Sequence, residues 1–520
     1  MKRIWILTAA SAVLLFAPAA RVGAQAPDKD SKPEAKPDAK PAGETPKEES
    51  SVTEHSIRIG GQAVPYKATV GSILLKDDKG EPTALIFYTA YTRSDVKDLD
   101  HRPLSFVYNG GPGSSSVWLH MGAFGPRRVL TTDPEATPPA PYQLVDNTHS
   151  LVDKSDLVFI DPVGTGFSHA VGKAQDKDFW GVDQDAHSLG QFVSTYVSRN
   201  NRWNSPKFLL GESYGTFRSA VLGDYLQDHY HLYLNGIDLI STVLDLGTLI
   251  FPNGVDDTYI NYLPSYAATA WYHKMLKDRP AELNAFIEEA RRFAGSEYAT
   301  ALMKGSKLTA AEKADMAKKM ARFTGLSEDY LMKADLRVKL GQFMKELQRS
   351  KDLTTGRLDA RYSGPSVNLL GEFAEYDPQS TAVSGAYTAL FNNYIRGELK
   401  FGEGKEYHIS AENAGRSWDW KRQGNGRNFF PGTPNVTEDL VSAMVTNPHL
   451  HVQVEAGVFD LATPFFAIEH TLDHLGLPQA LQGHVHINYY DAGHMMYLRE
   501  ADLAKLKGNV AAFIDSASKP

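Results

Sequence analysis

Short, continuous apolar runs recur along the chain, separated by stretches with helical spacing. They fall at 104–108, 157–160, 208–210, 237–243, 452–456 and 485–490. Runs of this kind are what strands buried on both faces look like, and their alternation with helices predicts a doubly wound, mostly parallel sheet. Ahead of them, 55–61 alternates and ends in Gly60-Gly61, while 68–76 and 84–92 are β-rich. These segments predict a small antiparallel sheet at the start of the folded part.

The rhythm breaks between 246 and 440. Residues 280–350 are rich in Ala, Glu, Lys, Leu and Met at helical spacing, and Thr309-Ala310-Ala311-Glu312 reads as a capping box opening one helix. The expectation is a mainly helical insertion that caps the site, an independent helical domain being the other reading. The core then comes in two parts, 51–245 and 441–520. No repeat of solenoid period is present.

The first 50 residues read differently. Lys2 and Arg3 precede an apolar run from Ile4 to Ala20, and Val22-Gly23-Ala24 offers small residues for cleavage. This predicts a signal peptide over 1–24 and a protein exported to the periplasm or secreted. The run is shorter than the ~20 residues of a spanning helix, so no stable membrane anchor is expected. Residues 25–50 are Pro, Lys, Asp, Glu and Ala with almost no large apolar side chain, which predicts a disordered linker.

Composition narrows the chemistry. The 520 residues include no cysteine, which excludes disulfides, thiolate metal sites and a cysteine nucleophile together. The signal segment carries Lys2, Arg3 and Arg21 and no acid, so its removal takes the net charge from −8 to −11. That balance gives no footing for nucleic acid. His484 and His486 have no carboxylate or third histidine at ligand spacing, so neither metal nor cofactor is expected. Oligomeric state is not legible.

Gly211-Glu212-Ser213-Tyr214-Gly215 follows the run 208–210 and precedes a segment, 216–228, that can be helical. A sharp strand-to-helix turn there exposes the Ser213 hydroxyl as a nucleophile. Serine needs a base, and His494 follows the last apolar run. The acid that orients it is assigned to Asp460, 34 residues earlier, with Asp245 as the rival; Asp491 is too close along the chain. Asn109-Gly110-Gly111-Pro112-Gly113-Ser114-Ser115-Ser116 follows the run 104–108 and supplies exposed amides. Gly111 N–H and Tyr214 N–H are the expected oxyanion donors. The Gly-Lys-Ser/Thr ending of a phosphate cradle is absent.

These motifs together resemble the serine carboxypeptidase family, through 109–116, Gly211 to Tyr214, Asp161 to Ser168, Gly457 to Asp460, and Ala492 to Met495. The resemblance spans roughly 100–245 and 440–500. It implies an α/β-hydrolase fold in an exported bacterial member that acts on peptides, removing single residues from their C-termini. It also implies that Asn109, Gly110 and Glu212 read the free substrate carboxylate. Three departures stand out. Ser114 occupies a position that is usually cysteine, Asp161-Pro162 lacks an intervening Gln, and Ala123 stands where the family has a Glu that pairs with the one matching Glu212. Without that partner, Glu212 is expected to titrate normally, or to pair with Arg127, Arg128 or Arg218, and activity is expected to depend less on acid pH. An esterase or acyltransferase on the same triad, and a catalytically idle binding protein, are the rival readings.

Overall fold

The computed structural model describes residues 46–422 and 432–519. The expected signal segment 1–24, and the expected linker as far as residue 45, lie outside the described residues.

One ten-stranded sheet organises the chain. Its strands are β1 (Ser50–Ile59), β2 (Gln62–Lys76), β3 (Pro82–Arg93), β4 (Leu104–Tyr108), β5 (Asp156–Ile160), β6 (His169–Ala170), β7 (Lys207–Glu212), β8 (Gly236–Ile240), β9 (His451–Gly457) and β10 (Val485–Tyr490). The order is β1-β2-β3-β5-β4-β7-β8-β9-β10, with β6 pairing to β3. From β5 to β10 every pair is parallel, and β1, β2 and β3 are antiparallel. The N-terminal strands do not form a sheet of their own. β3 pairs with β5 antiparallel, Tyr88 opposite Ile160, so they extend the main sheet at one edge.

Strands β4, β5, β7 and β8 are buried along their whole length, which is why they read as unbroken apolar runs. Helices α1 (Val182–Arg199) and α2 (Tyr214–Tyr230) pack on one another beside them. Helix α8 (Glu500–Ala517) packs against β8 and β9 from the other apolar cluster.

Between β8 and β9 the chain runs through α3 (Asp257–Tyr272), α4 (Leu283–Phe293), α5 (Ala310–Thr324), α6 (Pro378–Gly397) and α7 (Thr437–Thr446), with a short hairpin of Leu353–Thr355 and Ser363–Pro365. The start of α5 is the capping box read from the sequence. Glu312 N–H donates to Thr309 Oγ1 at 3.2 Å, and Thr309 N–H to Glu312 Oε2 at 2.8 Å. Tyr259, Tyr262 and Tyr266 of α3 are core residues, Tyr266 stacking on Phe343 with ring centres 3.9 Å apart. Trp271 is half-buried, with Arg279 over its ring. Helix α7 packs back on α2, where Gln227 donates to the Ala443 carbonyl at 3.0 Å.

Two boundaries differ from the reading of the sequence. The strand expected over 237–243 stops at Ile240 because Ser241 takes φ 51° and leaves the ladder. The last residues assigned to a linker are tied to the body. Glu48 pairs with Arg199 at 2.7 Å and accepts from Leu74 N–H at 2.7 Å, and Ser50 already lies in β1. Among the described residues no helix is long and apolar enough to cross a membrane.

Candidate active site

Ser213 sits between β7 and α2 with φ 60° and ψ −127°, a left-handed conformation that a side-chain-bearing residue adopts only when its surroundings impose it. Here the surroundings are tight. A Cβ on Gly211 would fall 2.4 Å from the Gly215 carbonyl oxygen. Tyr214 is the first residue of α2, so its N–H has no carbonyl one turn back to donate to.

Ile240, which ends β8, and Ser241, which follows it, anchor the backbones of Ser213 and His494 side by side. Ser213 N–H donates to the Ile240 carbonyl at 2.9 Å, and the Ser241 hydroxyl donates to the His494 carbonyl at 2.6 Å. His494 Nδ1 meets Asp460 Oδ2 at 2.7 Å, both side chains buried. A carboxylate only accepts, so Nδ1 carries the proton and Nε2 keeps its lone pair. Burial pulls the imidazole pKa down, but the Asp460 carboxylate, with help from Glu212, holds it above the usual histidine value. Asp460 is itself fixed, accepting from Ala462 N–H at 2.7 Å, Thr463 N–H at 2.9 Å and the Thr463 hydroxyl at 2.6 Å.

The rival acid Asp245 is engaged elsewhere, accepting from Gly247 N–H at 2.7 Å, and Asp491 is exposed, 3.7 Å from Arg499.

The loop after β4 lies directly on this turn. A Cβ on Gly110 would come within 2.4 Å of Tyr214 N and 2.6 Å of Gly215 N, so only glycine lets Gly110 and Gly111 approach those amides. Asn109 Nδ2 donates to Glu212 Oε1 at 2.8 Å, and Asn109 Oδ1 accepts from Leu119 N–H at 3.0 Å. Glu212 is 4% exposed, and burial pushes its carboxyl up to about 7 against the opposing pull of His494. The expectation of a normally titrating Glu212 is therefore wrong, because loss of solvation outweighs the missing partner. Nor do Arg127, Arg128 or Arg218 pair with it. Arg218 pairs with Asp185, Arg127 with Asp146 and Glu398, and Arg128 with Glu500.

Residues 62–501 match the family described as serine carboxypeptidase. The chain belongs to the serine carboxypeptidase family. It is 28% identical over 183 residues to serine carboxypeptidase-like 33 of Arabidopsis thaliana, a stretch covering 34% of this chain and 34% of that protein. It is 30% identical over 203 residues to the pheromone-processing carboxypeptidase KEX1 of Saccharomyces cerevisiae, covering 36% of this chain and 25% of that protein. The aligned stretches thus span about a third or less of these relatives' own length. The crystal structure of a prohormone-processing carboxypeptidase from the same yeast superposes over 87% of this chain and 92% of its own, with a TM-score of 0.55 at 16% identity. That likeness is one of fold, the α/β-hydrolase fold.

In this member of the family several supports were not foreseen. Arg218, buried on α2, donates to the Asn109 carbonyl at 2.7 Å and to Asp185 at 2.6 Å, which ties the glycine loop to two helices. Asp161 accepts from Ser116 N–H at 2.8 Å, from the Ser116 hydroxyl at 2.7 Å and from the Tyr407 hydroxyl at 2.7 Å, bracing the far end of that loop. An arginine one turn into a helix that is otherwise buried was the available signal for the first. The second had only the Asp161-Pro162 motif. Among the described residues no three His, Asp or Glu side chains are grouped to hold a metal.

Proposed function

We propose that this protein is a serine-type carboxypeptidase, removing C-terminal residues from peptides through an acyl-enzyme on Ser213. Ser213 Oγ attacks the last peptide carbonyl while His494 Nε2 takes its proton, and Asp460 holds the imidazole in that tautomer. The tetrahedral oxyanion accepts from Gly111 N–H and Tyr214 N–H, each bond lowering the barrier by about 2.7–4 kcal/mol. The C–N bond then breaks, His494 returns the proton to the leaving amine, and water hydrolyses the ester to free the shortened peptide. Asn109, Gly110 and Glu212 receive the substrate's terminal carboxylate.

One observation carries the choice of peptidase. A buried carboxyl at Glu212, next to the nucleophile and pushed up to about 7, is protonated through the mildly acid range up to neutrality and can donate that proton in a hydrogen bond to a substrate carboxylate. An anionic Glu212 would repel that group.

The segment 246–440 acts as the cap that shapes the side-chain pockets. The charged start, apolar run and small residues of 1–24 support an exported protein, periplasmic or secreted.

The deciding assay compares an N-blocked dipeptide acid with its C-terminal amide and its ethyl ester, using leaderless protein with Ser213→Ala as control. Fast cleavage of the acid with a slow amide is the expected result. Cleavage of the ester alone makes it an esterase or acyltransferase on the same triad. Turnover no better than the control makes it a binding protein.

A further inference from the structure

Only one side of the Glu212 carboxyl is explained by Asn109. Oε1 accepts from Asn109 Nδ2 at 2.8 Å, whereas Oε2 is sealed from solvent and closes no hydrogen bond. The hydroxyl of Tyr497 is equally buried and equally without a closed bond, and it interacts with this carboxyl and with Asn109. Two unsatisfied polar atoms buried side by side in a native core are uncommon, and each is costly unless it serves a role.

The local sequence makes room for this tyrosine. Its ring lies on the turn Leu119–Phe124, where a Cβ on Gly122 would come within 2.6 Å of Tyr497 Cε2. The next residue is Ala123, buried and too small to reach Glu212. Tyr497 also comes three residues after His494, in the short turn Met496–Leu498, so base and phenol ride on one loop.

We propose that Tyr497 is a positioning residue for Glu212, its hydroxyl orienting the buried carboxyl where a second carboxyl would otherwise stand. A phenol both donates and accepts, so it serves Glu212 ionised or protonated. It does not compete for the same proton, because burial and the neighbouring Glu212 hold its own ionisation well above the usual tyrosine range. Carboxylate recognition then persists until Glu212 itself loses its proton. This inference rests on reading Glu212 as the group that meets the substrate carboxylate.

The test is Tyr497→Phe, assayed on the N-blocked dipeptide acid and its ethyl ester across pH. Losing the phenol that orients the carboxyl is expected to raise KM for the acid about tenfold, with kcat little changed and a much smaller effect on the ester. The pH at which KM for the acid climbs should move upward, since the phenol favours the ionised form of Glu212. Equal effects on acid and ester, or an unmoved pH limb, overturn the proposal. A second readout needs no substrate: the infrared band of the protonated Glu212 carboxyl, assigned by its loss in Glu212→Gln. A band shifted in Tyr497→Phe supports the role even if the enzyme does not favour free acids, and an unchanged band overturns it. Should Tyr497→Phe fail to fold, Tyr497→Met keeps a buried apolar side chain without the hydroxyl and is read by the same band.

Discussion

The amide of His494 donates to the carbonyl of Leu358 at 2.7 Å, so the base is seated on the segment inserted between β8 and β9 as well as on its own loop. The neighbours of Leu358 do the same for the acid. Ala360 N–H donates to the Phe459 carbonyl at 2.9 Å, and Leu461 N–H to the Arg357 carbonyl at 3.0 Å. The strut 357–361 therefore sets the distance between the Asp460 and His494 loops.

Asp359 anchors that strut, accepting from Gly493 N–H at 2.9 Å and pairing with Arg361, which also pairs with Asp133. Asp359→Ala leaves Arg361 with one buried partner fewer, and breaking such a pair costs about 3–5 kcal/mol. The expected outcome is a clear fall in Tm together with a fall in kcat for peptide and ester alike. A variant with wild-type Tm and kcat would show that the strut is dispensable.

Asp460→Asn should reduce kcat about 10⁴-fold while leaving KM close to wild type, because the amide cannot hold the same imidazole tautomer. Ser213→Ala should go further, by roughly 10⁶-fold. A fluorophosphonate should label the wild type at Ser213 and spare Ser213→Ala, which mass spectrometry of the adduct reads directly.

The pH dependence of kcat/KM on a free-acid substrate should be bell-shaped and centred near neutrality. On the acid side His494, raised above its usual value, gains a proton and stops acting as a base. On the alkaline side Glu212, pushed up to about 7, loses the proton that greets the substrate carboxylate. Glu212→Gln should remove the alkaline limb and, because the Glu212 charge helps raise His494, move the acid limb to lower pH. An optimum at about pH 4–5 would contradict this assignment.

A second buried carboxyl pair governs stability. Asp238 on β8 and Glu455 on β9 stand diagonally across adjacent strands, and neither oxygen of Asp238 closes a hydrogen bond. Burial drives both pKa values well above 3.8 and 4.5, and the Asp238 charge raises Glu455 further. Folding takes up protons at this pair, so its contribution is full below the ordinary carboxylate values and is lost as pH rises through the raised native ones. Asp238→Asn should raise Tm at pH about 8, with the gain shrinking toward pH about 4. A gain that is independent of pH would refute the coupling.

Much of the site was legible because its parts are local. The turn at Ser213 announces itself as a buried strand, a glycine-flanked serine and a helix within about one contiguous segment, and the order Ser213, Asp460, His494 follows from which strands end near them. What failed to show from the residues themselves was how far burial raises Glu212 and that Tyr497 lies beside it, Asn109 having been grouped with it through the family resemblance alone. Its neighbours Asn109 and Tyr497 lie 103 and 285 positions away, and no periodicity links them to it. The end of β8 at Ile240 was missed for the same reason. Ser241 N–H still donates to the Glu455 carbonyl on β9, but its hydroxyl turns to the His494 carbonyl, more than 200 residues on.

The sequence by itself indicated most of the strands, the turn at Ser213, the pairing of Asp460 with His494, and the capping box at Thr309, since these follow from backbone preference, apolar spacing and chain order. Only the tertiary structure decided the raised pKa of Glu212, the placement of Tyr497 beside it and the seating of His494 on Leu358. Those are consequences of desolvation and of contacts between distant segments, which exist only once the core has closed around them.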